Sequence, residues 1–260
     1  MTDCTFDFTG RTVVVTGGTS GIGHGIATGF AEAGAHVVIT GTRPIETYDH
    51  DLSPFTYHRL DLADAAAIVE VAAAIPACHV LVNNAGGANR QPGELTPEGF
   101  ESTIAVNLNG TFRMCHALHP RLVEAAADPA APTASIINMA SMMSYFGSPT
   151  VPGYAASKGG VVQLTRSLAQ SWADDRIRVN AIAPGWIETN LTDGLLRDPE
   201  RSQAILERTP LDRWGRPDDV AGPALFLASD AARFVTGAVV DVDGGWRVAS
   251  YRRPGGRVGD

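Results

Sequence analysis

Lysine is almost absent from this sequence of 260 residues. Lys158 is the only lysine among 20 lysine and arginine residues. Its isolation is informative, because the compact lysine ammonium group and the planar arginine guanidinium are not chemically interchangeable. Basic charge as a whole is scarce too: the net charge is −8 and the pI is about 5.3. No nucleic-acid partner and no anionic membrane partner are expected, since both need a concentrated basic surface.

Cysteine and long apolar runs are also scarce. Cys4, Cys78 and Cys115 are the only cysteines and are widely spaced, so the sequence predicts neither a disulfide framework nor a CxxC metal or redox motif. No run of about 18 apolar residues occurs, and the first residues lack the apolar core of a targeting signal. These absences predict a cytoplasmic protein with reduced thiols, no membrane segment and no bound metal.

Short β-branched runs alternate with helical patterns along the chain. The runs predict strands at 11–16, 36–40, 55–60, 78–82, 134–138, 177–182 and 238–242, and the main helical patterns cover 22–33, 98–127, 154–172 and 217–227. This alternation predicts an α/β fold: a single doubly wound Rossmann-type domain with a seven-stranded parallel sheet and helices on both faces. The domain spans 1–248 with an irregular lid segment at 186–215, and a C-terminal tail covers 249–260.

A glycine-rich turn joins the first predicted strand to the first helix. Gly17, Gly21 and Gly23 stand there, together with Thr19, Ser20 and Ile22. Glycines at such a place let the backbone approach a pyrophosphate, which the free N–H groups of the helix bind. The spacing differs from G-x-G-x-x-G, and a plain tight turn is the alternative. The strand-turn-helix context favours a dinucleotide site.

The residues after the second strand bear on which dinucleotide is bound. An acidic residue at this place binds the ribose 2′-hydroxyl of NAD, but this chain has Gly41, Thr42 and Arg43. A hydroxyl and a guanidinium favour a 2′-phosphate, so the sequence favours NADP(H) over NAD(H). The alternative is that Arg43 is a solvated loop charge. Residues 44–54 show no helical period, so the crossover helix is expected to be short or missing.

Four polar residues, at three places in the chain, have two interpretations each. Asp61, which ends the third strand, could accept a hydrogen bond from an adenine amino group or could be the N-cap of the next helix. Asn83 and Asn84, followed by Ala85 and Gly86, could lie beside a cofactor, although asparagine in a turn is ordinarily structural. Asn107 lies inside a helical pattern, where a buried amide either bends the helix or binds water.

Tyr154 and Lys158 are four residues apart, so on a helix they share one face. A lysine charge beside a tyrosine favours the phenolate and lowers the pKa of the phenol below its ordinary value of about 10. The phenol then becomes a usable proton donor or acceptor near neutral pH. This spacing alone usually carries no function, but the pair contains the single lysine of the chain.

The ordered set of motifs resembles the short-chain dehydrogenase/reductase family over residues 10–245. The set consists of Thr16-Gly17-x3-Gly21-x-Gly23, Asn83-Asn84-Ala85-Gly86, a mid-helix Asn107, Ser141, the Tyr154–Lys158 pair, Pro184-Gly185-x-Ile187-x-Thr189 and Asp243-Gly244-Gly245. Each motif is weak alone, and together they are specific. The resemblance implies hydride transfer between a nicotinamide dinucleotide and a ketone or secondary alcohol, and it implies a homotetramer.

The resemblance also implies a role for each matching residue. Tyr154 would be the general acid in reduction and the base in oxidation, and Lys158 would lower its pKa and hold the nicotinamide ribose. Ser141 would hydrogen-bond the substrate carbonyl oxygen, and Asn107 would hold a water that relays protons towards Lys158. Ile187 and Thr189 would meet the nicotinamide carboxamide, Asn83 the adenosine side, and Asp61 with Leu62 the adenine. The implied cofactor residues are Gly17, Thr19, Ser20, Gly21, Ile22, Gly23, Thr42, Arg43, Asp61, Leu62, Asn83, Ala85, Gly86, Tyr154, Lys158, Pro184, Gly185, Ile187 and Thr189.

Our first hypothesis for the substrate is a small-molecule ketone or a 3-oxoacyl group, reduced with NADPH. An apolar pocket wall would come from Met142, Met143, Tyr145, Phe146, Val151 and Trp186. The second hypothesis is an NAD-dependent dehydrogenase of a sugar, sugar acid or polyol. Its polar rim would come from Asn89, Arg90, Gln91 and Glu94, and Arg197 or Arg201 would bind a carboxylate.

Two further hypotheses come from other classes of protein. A non-catalytic dinucleotide sensor would use the fold to bind a partner, but it has no need of a tuned phenol. A hydrolase built from Ser141 and Lys158 would leave the glycine-rich turn unexplained.

Overall fold

The protein is described by a computed structural model that covers residues 6–88, 93–127 and 134–249. Seven strands form one parallel sheet in the order β3-β2-β1-β4-β5-β6-β7. The strands are β1 (Thr12–Thr16), β2 (His36–Gly41), β3 (Thr56–Arg59), β4 (Val80–Asn83), β5 (Ala134–Met139), β6 (Ile177–Pro184) and β7 (Val239–Val242). The predicted seven-stranded parallel sheet is confirmed, and its strand order reverses between β1 and β4.

Helices cover both faces of the sheet. The α-helices are α1 (Gly21–Glu32), α2 (Ala65–Ala74), α3 (Pro97–Ile104), α4 (Thr111–Ala126), α5 (Pro152–Ser171), α6 (Asp193–Leu196), α7 (Pro199–Arg208) and α8 (Pro217–Ala228). Val13 and Val15 of β1 pack in one core cluster with residues of α1 and α8, whereas Val14 packs in a second cluster with residues of α2, α4 and α5. This alternation follows from the period of two in a strand, and it produces the doubly wound fold.

The helical pattern at 98–127, predicted with interruptions at Gly110 and Pro120, forms three helical segments in the structure. A π-helix, Ala105–Gly110, separates α3 from α4. A Cβ atom at Gly110 would lie 2.7 Å from Leu62 Cβ, so the absence of a side chain permits this close approach. Pro120 lies within α4 without ending it.

Two connections shape the edge of the sheet at which the sequence predicts a dinucleotide site. Between β2 and β3 the chain forms only a short 3-10 turn, Ile45–Thr47, which confirms the missing crossover helix. Before α2, Asp64 is the N-cap, and its Oδ1 accepts hydrogen bonds from the N–H groups of Ala66 and Ala67. The N-cap interpretation of Asp61 is therefore wrong. Asp61 accepts from Ala63 N at 2.9 Å in the preceding turn.

The segment at 186–215 contains α6 and α7 and borders the cavity described below. Within the described ranges, no helix combines the length and the apolar character needed to cross a bilayer. The predicted tail at 249–260 lies outside the described residues from position 250 onward, as does Cys4.

Candidate active site

A cavity of about 1140 Å³ lies over the carboxyl ends of the strands. This edge of a parallel sheet, at the point where the strand order reverses, is where open α/β folds bind ligands. The cavity is lined by every residue that the motifs implied for the cofactor except Asn83, and by Ser141. The fold therefore brings together, at one opening, segments that are far apart in the chain, from Gly17 to Arg201.

The glycine-rich turn forms one wall of this cavity. Gly17 and Gly21 have φ values of +64° and +53°, which favour glycine. Ser20, the N-cap of α1, is extended and makes no side-chain capping bond among the described residues. The first N–H groups of α1 thus keep donor capacity at the positive end of the helix, which suits a pyrophosphate.

Arg43 lines the cavity and is in contact with Tyr48. The Arg43 guanidinium lies 4.4 Å from the centroid of the Tyr48 ring, and Arg43 N donates to the Tyr48 hydroxyl at 3.0 Å. On the neighbouring strand, Tyr57 donates to the main-chain oxygens of Gly41 and Arg43. Tyr48 lies on the connection that replaces the crossover helix, and sequence reasoning missed it. Its only signal was a tyrosine in a polar, turn-rich stretch.

The side chain of Asn83 lies in the core and does not line the cavity. It is 3% exposed, and its Nδ2 donates to Asn138 Oδ1 at 2.9 Å and to Cys115 Sγ at 3.1 Å. Asn84 lines the cavity instead, and its Nδ2 donates to the main-chain oxygens of Thr16 and Gly17. Because its side chain is directed into the core, Asn83 cannot make the predicted adenosine contact with that side chain.

Tyr154, Lys158 and Ser141 meet at the opposite end of the cavity. Tyr154 and Lys158 lie one turn apart on α5, with Lys158 Nζ 5.7 Å from the centroid of the Tyr154 ring. Lys158 is 4% exposed and donates to Met139 O at 2.6 Å. Ser141 follows β5, and its hydroxyl lies close enough to the Tyr154 phenol to lower the pKa of that phenol. A carbonyl oxygen bound here would be within reach of both the Tyr154 phenol and the Ser141 hydroxyl.

The pKa of Tyr154 differs from the prediction. Burial raises the pKa of its phenol above the ordinary value, the hydrogen bond with Ser141 lowers it, and the charge of Glu94 raises it again. Burial also lowers the pKa of Lys158 to about 8. The predicted lowering of the Tyr154 pKa by Lys158 is therefore wrong for the protein without ligand. Burial has the largest effect on the phenol and raises its pKa, and the Lys158 ammonium group is directed to Met139 O.

Asn107 lies in the π-helix, 1% exposed and behind the cavity wall. Its Nδ2 donates to Gly87 O and to Ser157 Oγ, both at 3.0 Å, and its Oδ1 accepts from Gly87 N at 3.1 Å. The side chain thus fastens the segment after β4 to α5. Of the two interpretations of Asn107, the structure supports an altered helix, because the residue lies in a π-helix between two α-helices. The predicted water relay stays a prediction.

The apolar wall includes Met142, Met143, Val151 and Trp186 but not the two other predicted aromatics. Tyr145 turns away and donates to Asp241 Oδ1 at 2.9 Å. Phe146 packs edge-on against Trp246, with ring centroids 5.6 Å apart. The prediction was wrong for these two residues, because the 3-10 turn Met142–Ser144 redirects the chain before them.

Not all of the polar residues predicted for the rim line the cavity. Arg201 lines the cavity, whereas Arg197 pairs with Asp193 at 2.8 Å and does not line it. Glu94 is 1% exposed and so is not a rim residue. Asn89, Arg90 and Gln91 lie outside the described residues.

The charges on the cavity wall are opposite in sign to the net charge of the chain. Among the described residues that line it, Arg43, Lys158 and Arg201 are basic and Asp61 is the only carboxylate. No group of three or more histidine, cysteine, aspartate or glutamate side chains suited to a metal ion occurs in the described part of the chain. The cavity is therefore suited to anionic organic ligands.

Comparisons with known proteins agree with this geometry. A family model described as enoyl-(acyl carrier protein) reductase matches residues 17–247. The chain is 43% identical to a 2-dehydro-3-deoxy-D-gluconate 5-dehydrogenase from Pseudoalteromonas atlantica, over 93% of this chain and 97% of that protein. It is similar to a solved structure from Beutenbergia cavernae, described as an NAD(P)-dependent gluconate 5-dehydrogenase with bound NADP, at 40% identity, TM-score 0.83 and coverage of 94% and 99%. It is also similar to a gluconate 5-dehydrogenase from Burkholderia cenocepacia in complex with NADP and tartrate, at 34% identity, TM-score 0.81 and coverage of 94% and 98%.

Proposed function

The chain belongs to the short-chain dehydrogenase/reductase family, and on this premise we propose that it interconverts a hydroxyl and a keto group on a sugar acid with NADP(H). The observation that carries the proposal is the pairing, in one cavity, of the Ser141–Tyr154–Lys158 group with a wall on which basic residues outnumber carboxylates. The first feature supplies the reaction class, and the second supports an acidic substrate.

The cavity residues fit NADP(H). The N–H groups at the start of α1 would bind the pyrophosphate, and Arg43 would bind the 2′-phosphate where no acid follows β2. Asp61 and Leu62 would lie at the adenine, and Ile187 and Thr189 at the carboxamide. The solved neighbours from Beutenbergia cavernae and Burkholderia cenocepacia carry NADP, which supports the same cofactor here.

The chemistry of the protein residues follows from their positions. When bound, NADP(H) supplies the hydride donor or acceptor. In reduction, Tyr154 gives its proton to the carbonyl oxygen as that oxygen becomes an alcohol, and in oxidation the phenolate removes the proton. Ser141 stabilises the negative charge that develops on the same oxygen. Lys158 would hold the ribose hydroxyls and so orient the reacting ring.

The choice of a sugar acid changes the order of our two substrate hypotheses. The relative from Pseudoalteromonas atlantica and the two solved neighbours are all named for sugar acids, which supports the second hypothesis over a 3-oxoacyl substrate. Arg201 lines the same cavity as Tyr154 and is the described residue best placed for a carboxylate. The second hypothesis named NAD, and we replace it with NADP(H).

A substrate panel tests this proposal. The purified protein is assayed with NADPH against a 5-keto-aldonic acid and a 3-oxoacyl thioester, and with NADP against gluconate and its neutral alditol. We expect the acids to exceed the neutral and thioester compounds in kcat/KM by up to about tenfold, because a charge-assisted contact of this kind contributes up to about 1.4 kcal/mol. Best turnover of the thioester would restore the first hypothesis. Confirmed NADPH binding without any turnover would favour the sensor.

We further propose that this single domain acts as a homotetramer in the cytoplasm. Buried, unpaired Cys78 and Cys115 support a reducing compartment. Phe112 and Phe234 are 45% and 101% exposed, which supports burial of apolar surface between copies of the chain. Light scattering after size-exclusion chromatography measures the mass, and a monomer at micromolar concentration would contradict the assembly.

A further inference from the structure

Glu94 is a buried carboxylate outside the motifs that define the family. Only 1% of the residue is exposed. Its Oε1 accepts a hydrogen bond from the Thr103 hydroxyl at 3.0 Å, and its Oε2 accepts one from the backbone N–H of Tyr154 at 2.7 Å. Burial of a charge is costly unless hydrogen bonds compensate it, so a carboxylate at this position needs a reason.

The reason lies at the start of α5. Val151, the N-cap of this helix, has no side chain able to cap it, and Pro152 has no N–H group. The N–H of Tyr154 in the first turn would lack a partner without Glu94. A carboxylate at this end also interacts favourably with the helix dipole. The cap of α5 thus comes from a residue 60 positions earlier in the chain.

The packing leaves space for this contact. A Cβ atom at Gly153 would lie 3.2 Å from Glu94 Oε2 and equally close to Phe100, so glycine lets the carboxylate reach the helix. Thr103 anchors the other oxygen on α3. Glu94 therefore joins α3 to the first turn of α5, which contains Tyr154, the proposed proton donor.

We propose that Glu94 is a positioning residue, which fixes the backbone of Tyr154 so that its phenol meets the substrate oxygen beside Ser141. This inference rests on the proposed function, because it presumes that Tyr154 transfers the proton. Its predicted loss is in kcat, since a misplaced proton donor slows the chemical step without weakening distant cofactor contacts.

The charge of Glu94 adds a second effect that a purely structural residue lacks. The described charged groups facing Tyr154 are Lys158, from its own helix, and Glu94, from the segment before α3, while Ser141 contributes a neutral hydroxyl. Glu94 raises the pKa of Tyr154. Removing this charge lowers that pKa, so the phenolate needed for oxidation persists to lower pH.

Three variants separate position from charge. Glu94→Gln keeps the size and a hydrogen-bond acceptor but removes the charge, Glu94→Ala removes both, and Thr103→Val removes one anchor only. Leu95→Ala, next in sequence and 76% exposed, is the matched control. The assays are kcat and KM with NADP and a sugar acid, the pH profile of oxidation, and ultraviolet titration of the phenol, isolated by subtracting Tyr154→Phe.

For Glu94→Ala we expect kcat to fall about tenfold or more while the KM for NADP stays within about threefold. Glu94→Gln should retain most of kcat and move the acid limb of the profile, and the phenol titration, to lower pH. Thr103→Val should lower kcat modestly without moving either curve, and Leu95→Ala should match the wild type.

The outcomes distinguish this inference from the proposed function. Unchanged kcat in Glu94→Ala, or an unmoved phenol titration in Glu94→Gln, would overturn the role of Glu94 even if the wild-type protein reduces sugar acids. If the wild type turns over no substrate, the proposed function fails, and the phenol titration still decides whether Glu94 acts on Tyr154. If Glu94→Ala does not fold, Glu94→Gln decides the inference.

Discussion

Lys158 Nζ donates a 2.6 Å hydrogen bond to the main-chain oxygen of Met139. Met139 is the last residue of β5, two positions before Ser141, so this bond ties the helix that carries Tyr154 to the strand that positions Ser141. A compact ammonium group fits a 4% exposed site, whereas a planar guanidinium would bring five N–H donors to satisfy. This explains why the single lysine of an arginine-rich chain is found here.

Replacing Lys158 by methionine should leave the protein at least as stable. The lowered pKa of Lys158, about 8 against an ordinary 10.5, shows that burial disfavours the charge, at a cost on the order of 3 kcal/mol at pH 7. Losing the bond to Met139 O offsets about 1–3 kcal/mol of this. We expect Lys158→Met to gain from zero to about 2 kcal/mol in unfolding free energy and to lose activity.

The pH dependence of that gain follows from linkage. Between pH 8 and 10.5 Lys158 binds more protons in the unfolded chain than in the folded chain, so the contribution of Lys158 to wild-type stability becomes more favourable as the pH rises through this window. The difference between variant and wild type should therefore shrink there. Urea unfolding at several pH values measures it, and a variant markedly less stable at pH 7 would contradict the argument.

Tyr154→Phe should abolish most turnover without loss of cofactor. A missing general acid costs about 10²–10⁴-fold in rate, and the change leaves Arg43 and the glycine-rich turn, the proposed phosphate-binding groups, unaltered. We expect kcat with a sugar acid to fall by this factor while NADPH binding, followed by fluorescence titration, is retained. Full turnover by the variant would show that another group transfers the proton.

Arg43→Ala should weaken the binding of NADPH and spare that of NADH. A charge-assisted contact to the 2′-phosphate contributes about 1.5–3 kcal/mol, which corresponds to tenfold or more in Kd. The exposed, ion-paired Arg197, away from the cavity, provides the matched control as Arg197→Ala. Equal losses for both cofactors in Arg43→Ala would place the 2′-phosphate elsewhere.

Arg201→Met should raise the KM of a sugar acid. Arg201 lines the cavity and is only loosely paired with Asp198, at 3.9 Å, so its guanidinium is able to bind a carboxylate. Because this side chain is two-thirds exposed (67%), solvent screening limits the expected loss in kcat/KM to about tenfold. A neutral polyol and the variant Arg197→Met serve as controls. An equal loss with the neutral polyol would exclude charge recognition.

The sequence by itself determined the strands, the glycine-rich turn and the pairing of Tyr154 with Lys158. These features depend on neighbours along the chain: the run of β-branched residues in β1, the positive φ of Gly17 and Gly21, and one helical turn of α5. It also indicated the missing crossover helix, because residues 44–54 have no helical period. The local pattern of residues was sufficient to predict each of these features.

Only the tertiary structure decided which polar groups meet. Whether Asn83 or Asn84 faces the cavity depends on how β4 sits between β1 and β5, and the direction of Lys158 depends on where β5 ends. Glu94, an acid in a turn-rich stretch, caps a helix 60 residues later because α3 and α5 pack together. Such contacts are set by packing between distant segments, and no local pattern of residues encodes them.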